Sequence, residues 1–263
     1  MNKSRRSFLK TAGLSVCALS GGIAGVAGSP AAARSGIAPG RYGKGEKALR
    51  AKRWAMVIDT RKFCGPQDYE PLVEACRAAH NVPHIKGPQE IKWFWTDSYE
   101  HGFPDDMNEH LSKNVRESAY PLLCNHCGRP PCARVCPTQA TYQMEDGIVA
   151  MDYHRCIGCR FCMAACPYGA RSFNFKDPRK FLPDPVPNPA FPTRMIGVVE
   201  KCTFCAERLA AGQMPACVEA SQGRILFGDL EDPDSTARQA LATGYSIRRK
   251  PSLGTRPGVY YLI

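Results

Sequence analysis

Twelve of the 14 cysteines in this 263-residue chain fall into sets whose spacing can do chemistry. The run Cys156-Ile-Gly-Cys159-Arg-Phe-Cys162-Met-Ala-Ala-Cys166-Pro167 has the spacing C-x2-C-x2-C-x3-C-P. Three thiolates on one tight loop can reach three irons of a 4Fe-4S cubane. The fourth, one short helical turn further on, points away and ligates a neighbouring cluster. One such run therefore implies two clusters.

Its complement is Cys124-Asn-His-Cys127-Gly-Arg-Pro-Pro-Cys132-Ala-Arg-Val-Cys136-Pro137, with two extra residues before the third cysteine and the same ending. Exchange of fourth ligands assigns one cluster to Cys124, Cys127, Cys132 and Cys166, and another to Cys156, Cys159, Cys162 and Cys136. Between the runs, strands over residues 140–144 and 148–152 flank Glu145-Asp146-Gly147, where Asp-Gly signals a tight hairpin. The reading is a ferredoxin-like module repeated about a pseudo-twofold. A third set holds Cys202, Cys205 and, beyond a helix that stops at Gly212, Cys217, while Ser221 stands in its fourth position. The fourth thiol is found upstream on a helix over residues 68–79, with Pro71 near its start, Asn81 as its stop and Cys76 on it. Cys76, Cys202, Cys205 and Cys217 make a third 4Fe-4S site, so the cofactor expectation is three 4Fe-4S clusters.

Two other uses of these cysteines are weaker. Structural zinc closes Cys-x2-Cys pairs within one knuckle, and the C-x2-C-x2-C-x3-C-P run would strand a third thiol. A disulfide framework suits an oxidising compartment but not cysteines crowded into such loops. His126 lies inside a loop already filled by cysteines, which leaves it a hydrogen-bonding role around the cluster. Trp93, Phe94 and Trp95 read as core or loop anchors, and Cys64 as a spare thiol. No nucleophile-base pair, P-loop or dinucleotide fingerprint appears in its structural context, so the chain is read as a carrier without a substrate site of its own.

The elements that position these ligands follow an address. Ser4-Arg5-Arg6-Ser7-Phe8-Leu9-Lys10 matches a twin-arginine export signal, and the Ala/Gly-rich stretch that follows is too short and too weakly apolar for a transmembrane helix. Ala31-Ala32-Ala33 offers small residues for signal peptidase, so residues 1–33 are expected to be cleaved and Cys17 is discarded as a ligand. This route carries folded proteins, which suits cofactors inserted before export, and it predicts a periplasmic location. Four basic and no acidic residues lie in that segment; of the net charge of +11, the rest carries 31 minus 24, or +7. That excess reads as a solvated basic surface, with no nucleic-acid-binding module in the chain. Residues 34–53 form an irregular basic arm, residues 120–180 the two-cluster module, and residues 54–119 and 181–263 an outer cluster-bearing unit. A helix over residues 235–242, stopped by Gly244, lies near the C-terminus. The fold class is α+β, with tandem ferredoxin-like modules, loop-rich insertions and a C-terminal helix.

From Trp54 onward the chain resembles the iron-sulfur subunits of the dimethyl-sulfoxide-reductase type, which carry four cysteine groups and four 4Fe-4S clusters in a row. Asp59 and Cys76-Arg-Ala-Ala-His-Asn-Val-Pro83 match the two ends of that family's first group. Its middle cysteines are reduced to Cys64, and the last cysteine of the fourth group has become Ser221. In the family those ligands jointly hold the first cluster, which faces a molybdenum subunit, so the resemblance implies the coordinated loss of one site. The last cluster, here on Cys136, Cys156, Cys159 and Cys162, faces a membrane partner in the family. Trp54-Ala-Met-Val-Ile-Asp-Thr-Arg61, Ile91-Lys-Trp-Phe-Trp95, Met151-Asp-Tyr-His154 and Gly197-Val-Val-Glu-Lys201 are similar to the periplasmic iron-sulfur subunits of DsrMKJOP-type sulfur-metabolism complexes. That likeness implies an NrfD-like integral membrane quinone subunit, a periplasmic multihaem cytochrome c and other subunits of a membrane redox complex as partners. An electron-transfer subunit of a molybdopterin oxidoreductase and a zinc-stabilised interaction protein stand as alternatives.

Overall fold

The computed structural model describes residues 45–263, so the export signal, Cys17 and the arm up to residue 44 lie outside the described residues. The architecture is mixed α and β, built from short strands: β1 (Trp54–Asp59), β2 (Phe94–Ser98), β3 (Ala119–Leu123), β4 (Thr141–Gln143), β5 (Val149–Met151), β6 (Ser172–Phe173), β7 (Val199–Glu200), β8 (Ile225–Asp229), β9 (Ser246–Ile247) and β10 (Val259–Leu262). The largest sheet has the order β8-β1-β10-β9, and three two-stranded sheets pair β2 with β3, β4 with β5, and β6 with β7. β1 is wholly buried and runs parallel to β10, with Met56 opposite Val259 and Ile58 opposite Tyr261. A strand covered on both faces reads as a continuous apolar run, and Trp54-Ala-Met-Val-Ile58 is one.

Local chemistry accounts for the elements that carry cysteines. Helix Glu70–His80 has Pro71 in its first turn, where the missing amide hydrogen costs nothing, and ends on Asn81 in the left-handed region with φ 48°. It starts two residues later than the expected 68–79, because Pro66–Asp68 forms a separate 3-10 turn. The hairpin pairs Thr141 with Met151 and Gln143 with Val149. Its turn closes through the Gly147 amide, which donates to Met144 O at 3.1 Å with Gly147 at φ 85°. Helices Pro131–Arg134 and Phe161–Ala164 are the short turns before Cys136 and Cys166, and they pack against each other. Helix Thr236–Thr243 begins on the side chain of Ser235, which accepts the Arg238 amide at 3.2 Å, and ends at Gly244.

Trp93, Phe94 and Trp95 are buried, in agreement with the core reading. Residues 45–53 lie along the chain's own body, so this part of the basic arm is docked. The Lys52 and Arg53 amides donate to the Asp229 carboxylate at 2.7 and 2.9 Å, and Leu49 N donates to Leu209 O at 2.9 Å. Burial pulls the Asp229 carboxyl up, but the amides of Lys52, Glu231 and Arg53 hold it below its usual value. No helix among the described residues is long and apolar enough to cross a membrane.

Candidate metal centres

The first Cys-x2-Cys turn of each group places a left-handed residue just before its second cysteine: His126 at φ 40°, Gly158 at 70° and Phe204 at 54°. At Gly158 an added Cβ would collide with the Gly197 carbonyl, so the turn is closed to other residues there. The left-handed histidine and phenylalanine are uncommon conformers that persist only when their surroundings fix them. The two rings are packed together: those of His126 and Phe204 stack with centroids 3.7 Å apart and 18° between planes. The Val149 amide donates to His126 Nδ1 at 3.1 Å. Burial, helped by the charge of Lys201, pushes this imidazole well below its ordinary pKa and keeps it neutral. The expected hydrogen-bonding role of His126 is therefore what its geometry provides.

The two runs exchange their last cysteines. Cys124, Cys127, Cys132 and Cys166 line one small cavity, together with Pro131, Tyr168 and Arg171. Cys136, Cys156, Cys159 and Cys162 line another, together with Thr141, Met151 and Val199. Cys76, Cys202, Cys205 and Cys217 gather from three helical segments, since helix Glu70–His80 packs on helix Ala216–Ala220 and Cys205 opens helix Ala206–Ala210. Burial pushes the Cys76 thiol far up, with Cys202 and Cys217 adding to the shift, and Cys205 is raised by burial, Cys217, Cys76 and Cys202. Cys202 also feels Cys124, which links this group to the first cavity.

None of the 13 described cysteines is in a disulfide. Burial pushes Cys127 and Cys217 up to about 12, so at neutral pH these groups become thiolates only beside a cation. Cys136 is the exception in sign. Burial raises it, but the Thr141 amide at 3.5 Å and the Thr138 hydroxyl at 3.7 Å bring it below the usual thiol value. Spacing then separates the metals. A single zinc with Zn–S bonds of about 2.3 Å holds its sulfurs about 3.8 Å apart. Among the described residues, the only trio of His, Cys, Asp or Glu ligand atoms within 4.8 Å of one another is His80, Cys205 and Glu207. That trio reflects the 2.8 Å hydrogen bond between His80 and Glu207. No three sulfurs of any cysteine set lie within 4.8 Å of one another, which fits a cluster of several irons better than a single zinc.

Ser221 and Cys64, the positions where the resemblance implies a lost set of ligands, lie in different surroundings. Ser221 is fully buried; its Oγ donates to Val218 O at 2.7 Å and accepts the Ile225 amide at 3.0 Å. Cys64 is exposed, with its amide donating to Asp68 at 2.7 Å. Phe63 stacks on Tyr69 at 4.7 Å and lies under the Arg224 guanidinium at 5.8 Å. Asp59 is taken by Arg61 at 2.7 Å, whose hydrogen bond draws the carboxyl below its ordinary value.

Sequence reasoning missed two sets of buried polar residues around these sites. Glu200 accepts hydrogen bonds from Trp93 Nε1 at 3.0 Å, Asn174 Nδ2 at 2.6 Å and Arg194 Nε at 2.8 Å. Arg194 also donates to the carbonyls of His80 and Asn81, which tethers the end of the helix that carries Cys76. Arg171 and Lys201 are equally buried cations beside the cysteines. Basic residues in a basic chain carry no sign of burial in their spacing.

A ferredoxin-like centre of paired four-cysteine cavities is the class that this geometry defines, and the family comparison agrees. A family model described as a 4Fe-4S dicluster domain matches residues 115–180. The chain is 39% identical to the Hdr-like menaquinol oxidoreductase iron-sulfur subunit 1 of Archaeoglobus fulgidus, over 82% of this chain and 85% of that one. It is 38% identical to the menaquinone reductase iron-sulfur cluster-binding subunit of Nitratidesulfovibrio vulgaris, over 80% and 88%. It is 34% identical to the arsenate respiratory reductase iron-sulfur subunit of a Shewanella species, over 80% and 96%. The chain belongs to this family of 4Fe-4S electron-transfer subunits of redox complexes.

Proposed function

We propose that this chain is the periplasmic electron-transfer subunit of a DsrMKJOP-type complex, the position held by DsrO, and that it carries three 4Fe-4S clusters. The observation that carries the reading is the grouping of twelve thiols into three sets of four, two of them around cavities with exchanged fourth cysteines. Each bound cubane supplies one-electron chemistry. The chain's own residues hold the clusters in a row, exclude water from the inner ones and tune them with amides and charges. Residues 120–180 serve as the two-cluster module and the flanking segments 54–119 and 181–263 as the outer unit.

The surface supports an exit for electrons at the cavity of Cys136, Cys156, Cys159 and Cys162. Ile157 and Phe161, on the loop between these cysteines, are 67% and 59% exposed, and Ile196 beside the Gly158–Gly197 contact is 57% exposed. Exposed apolar residues gathered around a redox centre fit a protein partner, here the NrfD-like membrane quinone subunit. Relatives named for menaquinol and menaquinone support the quinone side. The lost set of ligands argues against a molybdenum subunit at the other end and in favour of a multihaem cytochrome c. Residues 1–33 deliver the loaded chain through the twin-arginine route.

Affinity purification of the full chain from membranes of its own host tests the partners. A quinone-binding membrane subunit and a c-type cytochrome should come down together. Recovery of a molybdopterin subunit in their place contradicts the assignment.

A further inference from the structure

Arg194 and Arg171 pose the same physical problem and solve it differently. Both residues are buried, and so is Lys201, at 2%, 5% and 0% exposure. Removing a cation from water costs several kcal/mol unless an anion balances it. Arg194 has Glu200 at 2.8 Å. Arg171 and Lys201 have no carboxylate within ion-pair distance among the described residues. Lys201 Nζ donates to the carbonyls of Val149 and Cys202, the latter at 2.7 Å. Arg171 Nη1 donates to Thr141 Oγ1 at 3.0 Å, and its Nη2 has no nitrogen or oxygen partner.

Their positions say what balances them. Arg171 lines the cavity of Cys124, Cys127, Cys132 and Cys166, while its partner Thr141 lines that of Cys136, Cys156, Cys159 and Cys162. Lys201 reaches between Val149, on the wall of the former cavity, and Cys202 of the third group. Each cation thus stands at the boundary of two cysteine sets, and the middle set is flanked by both. A cubane on four thiolates is anionic, and more so when reduced.

We propose that Arg171 and Lys201 are the built-in counter-charges of the cluster row: both raise the potential of the middle cluster, on Cys124, Cys127, Cys132 and Cys166; Arg171 alone raises that of the outer cluster, here the one on Cys136, Cys156, Cys159 and Cys162; and Lys201 alone raises that of the third, on Cys76, Cys202, Cys205 and Cys217. This rests on the three-cluster reading above. Each is a positioning residue that acts through its charge. The middle site becomes the most easily reduced of the three, a resting point for the electron between the two ends. A favourable charge this close, at an interior effective dielectric constant of about 20, shifts the reduced-to-oxidised ratio by roughly tenfold or more. Tenfold corresponds to about 59 mV for one electron.

The test is a redox titration, followed by electron paramagnetic resonance, of the full cluster-loaded chain and its Arg171→Gln, Arg171→Lys, Lys201→Gln and Lys201→Arg variants. Clusters are assigned beforehand by single cysteine replacements. Arg171→Gln should lower the middle and outer potentials and leave the third unmoved; Lys201→Gln should lower the middle and third and leave the outer unmoved. The charge-conserving variants should titrate like the parent. Unshifted potentials, or equal shifts in all three, overturn the proposal. If a glutamine variant loads no cluster, full loading of its charge-conserving counterpart supports the need for charge, and failure of both overturns it. A different number of clusters in the parent chain refutes the three-cluster reading instead, so the two failures are distinct.

Discussion

Arg194→Met should be among the most damaging substitutions outside the cysteines. The guanidinium and the Glu200 carboxylate are 1% and 0% exposed, joined at 2.8 Å. Removing the cation leaves Glu200 with only the Trp93 indole at 3.0 Å and the Asn174 amide at 2.6 Å, a buried charge with no opposite charge in contact. It also frees the carbonyls of His80, Asn81 and Pro192 that Arg194 satisfies. Breaking one partner of such a pair costs about 3–5 kcal/mol. For a chain of this size that is a fall of roughly 6–20 °C in the midpoint of thermal cluster loss, at about 2–4 °C per kcal/mol. The assay is the visible cluster absorbance on anaerobic heating. Because Arg194 holds the end of the helix that carries Cys76, the signal of the third cluster should go first. The double variant Arg194→Met/Glu200→Gln should recover part of the loss, since it removes the stranded charge. A fall below about 2 °C in the single variant, or a double variant worse than the sum of the singles, would refute the reasoning.

Three further outcomes follow from the site. Cys136→Ala and Cys166→Ala should each damage the cluster built by the opposite run, read from the resonance that disappears; loss of only the cluster of its own run contradicts the exchange. Ser221→Cys should add no fourth cluster, because among the described residues only Cys64 is left outside the three sets, too few thiols for another cubane; a gain of about four irons per chain would refute this. Arg5→Lys/Arg6→Lys should leave cluster-loaded protein in the cytoplasm, measured by cell fractionation, and normal periplasmic accumulation would remove the export assignment.

Much of the site was legible because cluster ligands are local. The run from Cys156 to Pro167 states its own geometry, Asp146-Gly147 states the hairpin, and Pro71 with Asn81 brackets the helix that carries Cys76. What escaped is non-local. β1 and β10 are parallel neighbours some 200 residues apart, and nothing in Val259-Tyr-Tyr-Leu262 names its partner. The left-handed conformers of His126 and Phe204 accompany a stack of their two rings across 78 residues of sequence, which no residue preference reports. Arg171, Arg194 and Lys201 count toward a basic surface in the composition, yet all three are core residues held by carbonyls, a carboxylate or cysteines.

Iron and acid-labile sulfide analysis of the fully reconstituted mature chain tests the central claim most directly. Three cubanes on Cys76, Cys124, Cys127, Cys132, Cys136, Cys156, Cys159, Cys162, Cys166, Cys202, Cys205 and Cys217 predict roughly twelve irons and an equal number of sulfides per chain. About sixteen of each would restore the fourth site, about eight would remove the third, and tightly bound zinc without sulfide would contradict the account altogether.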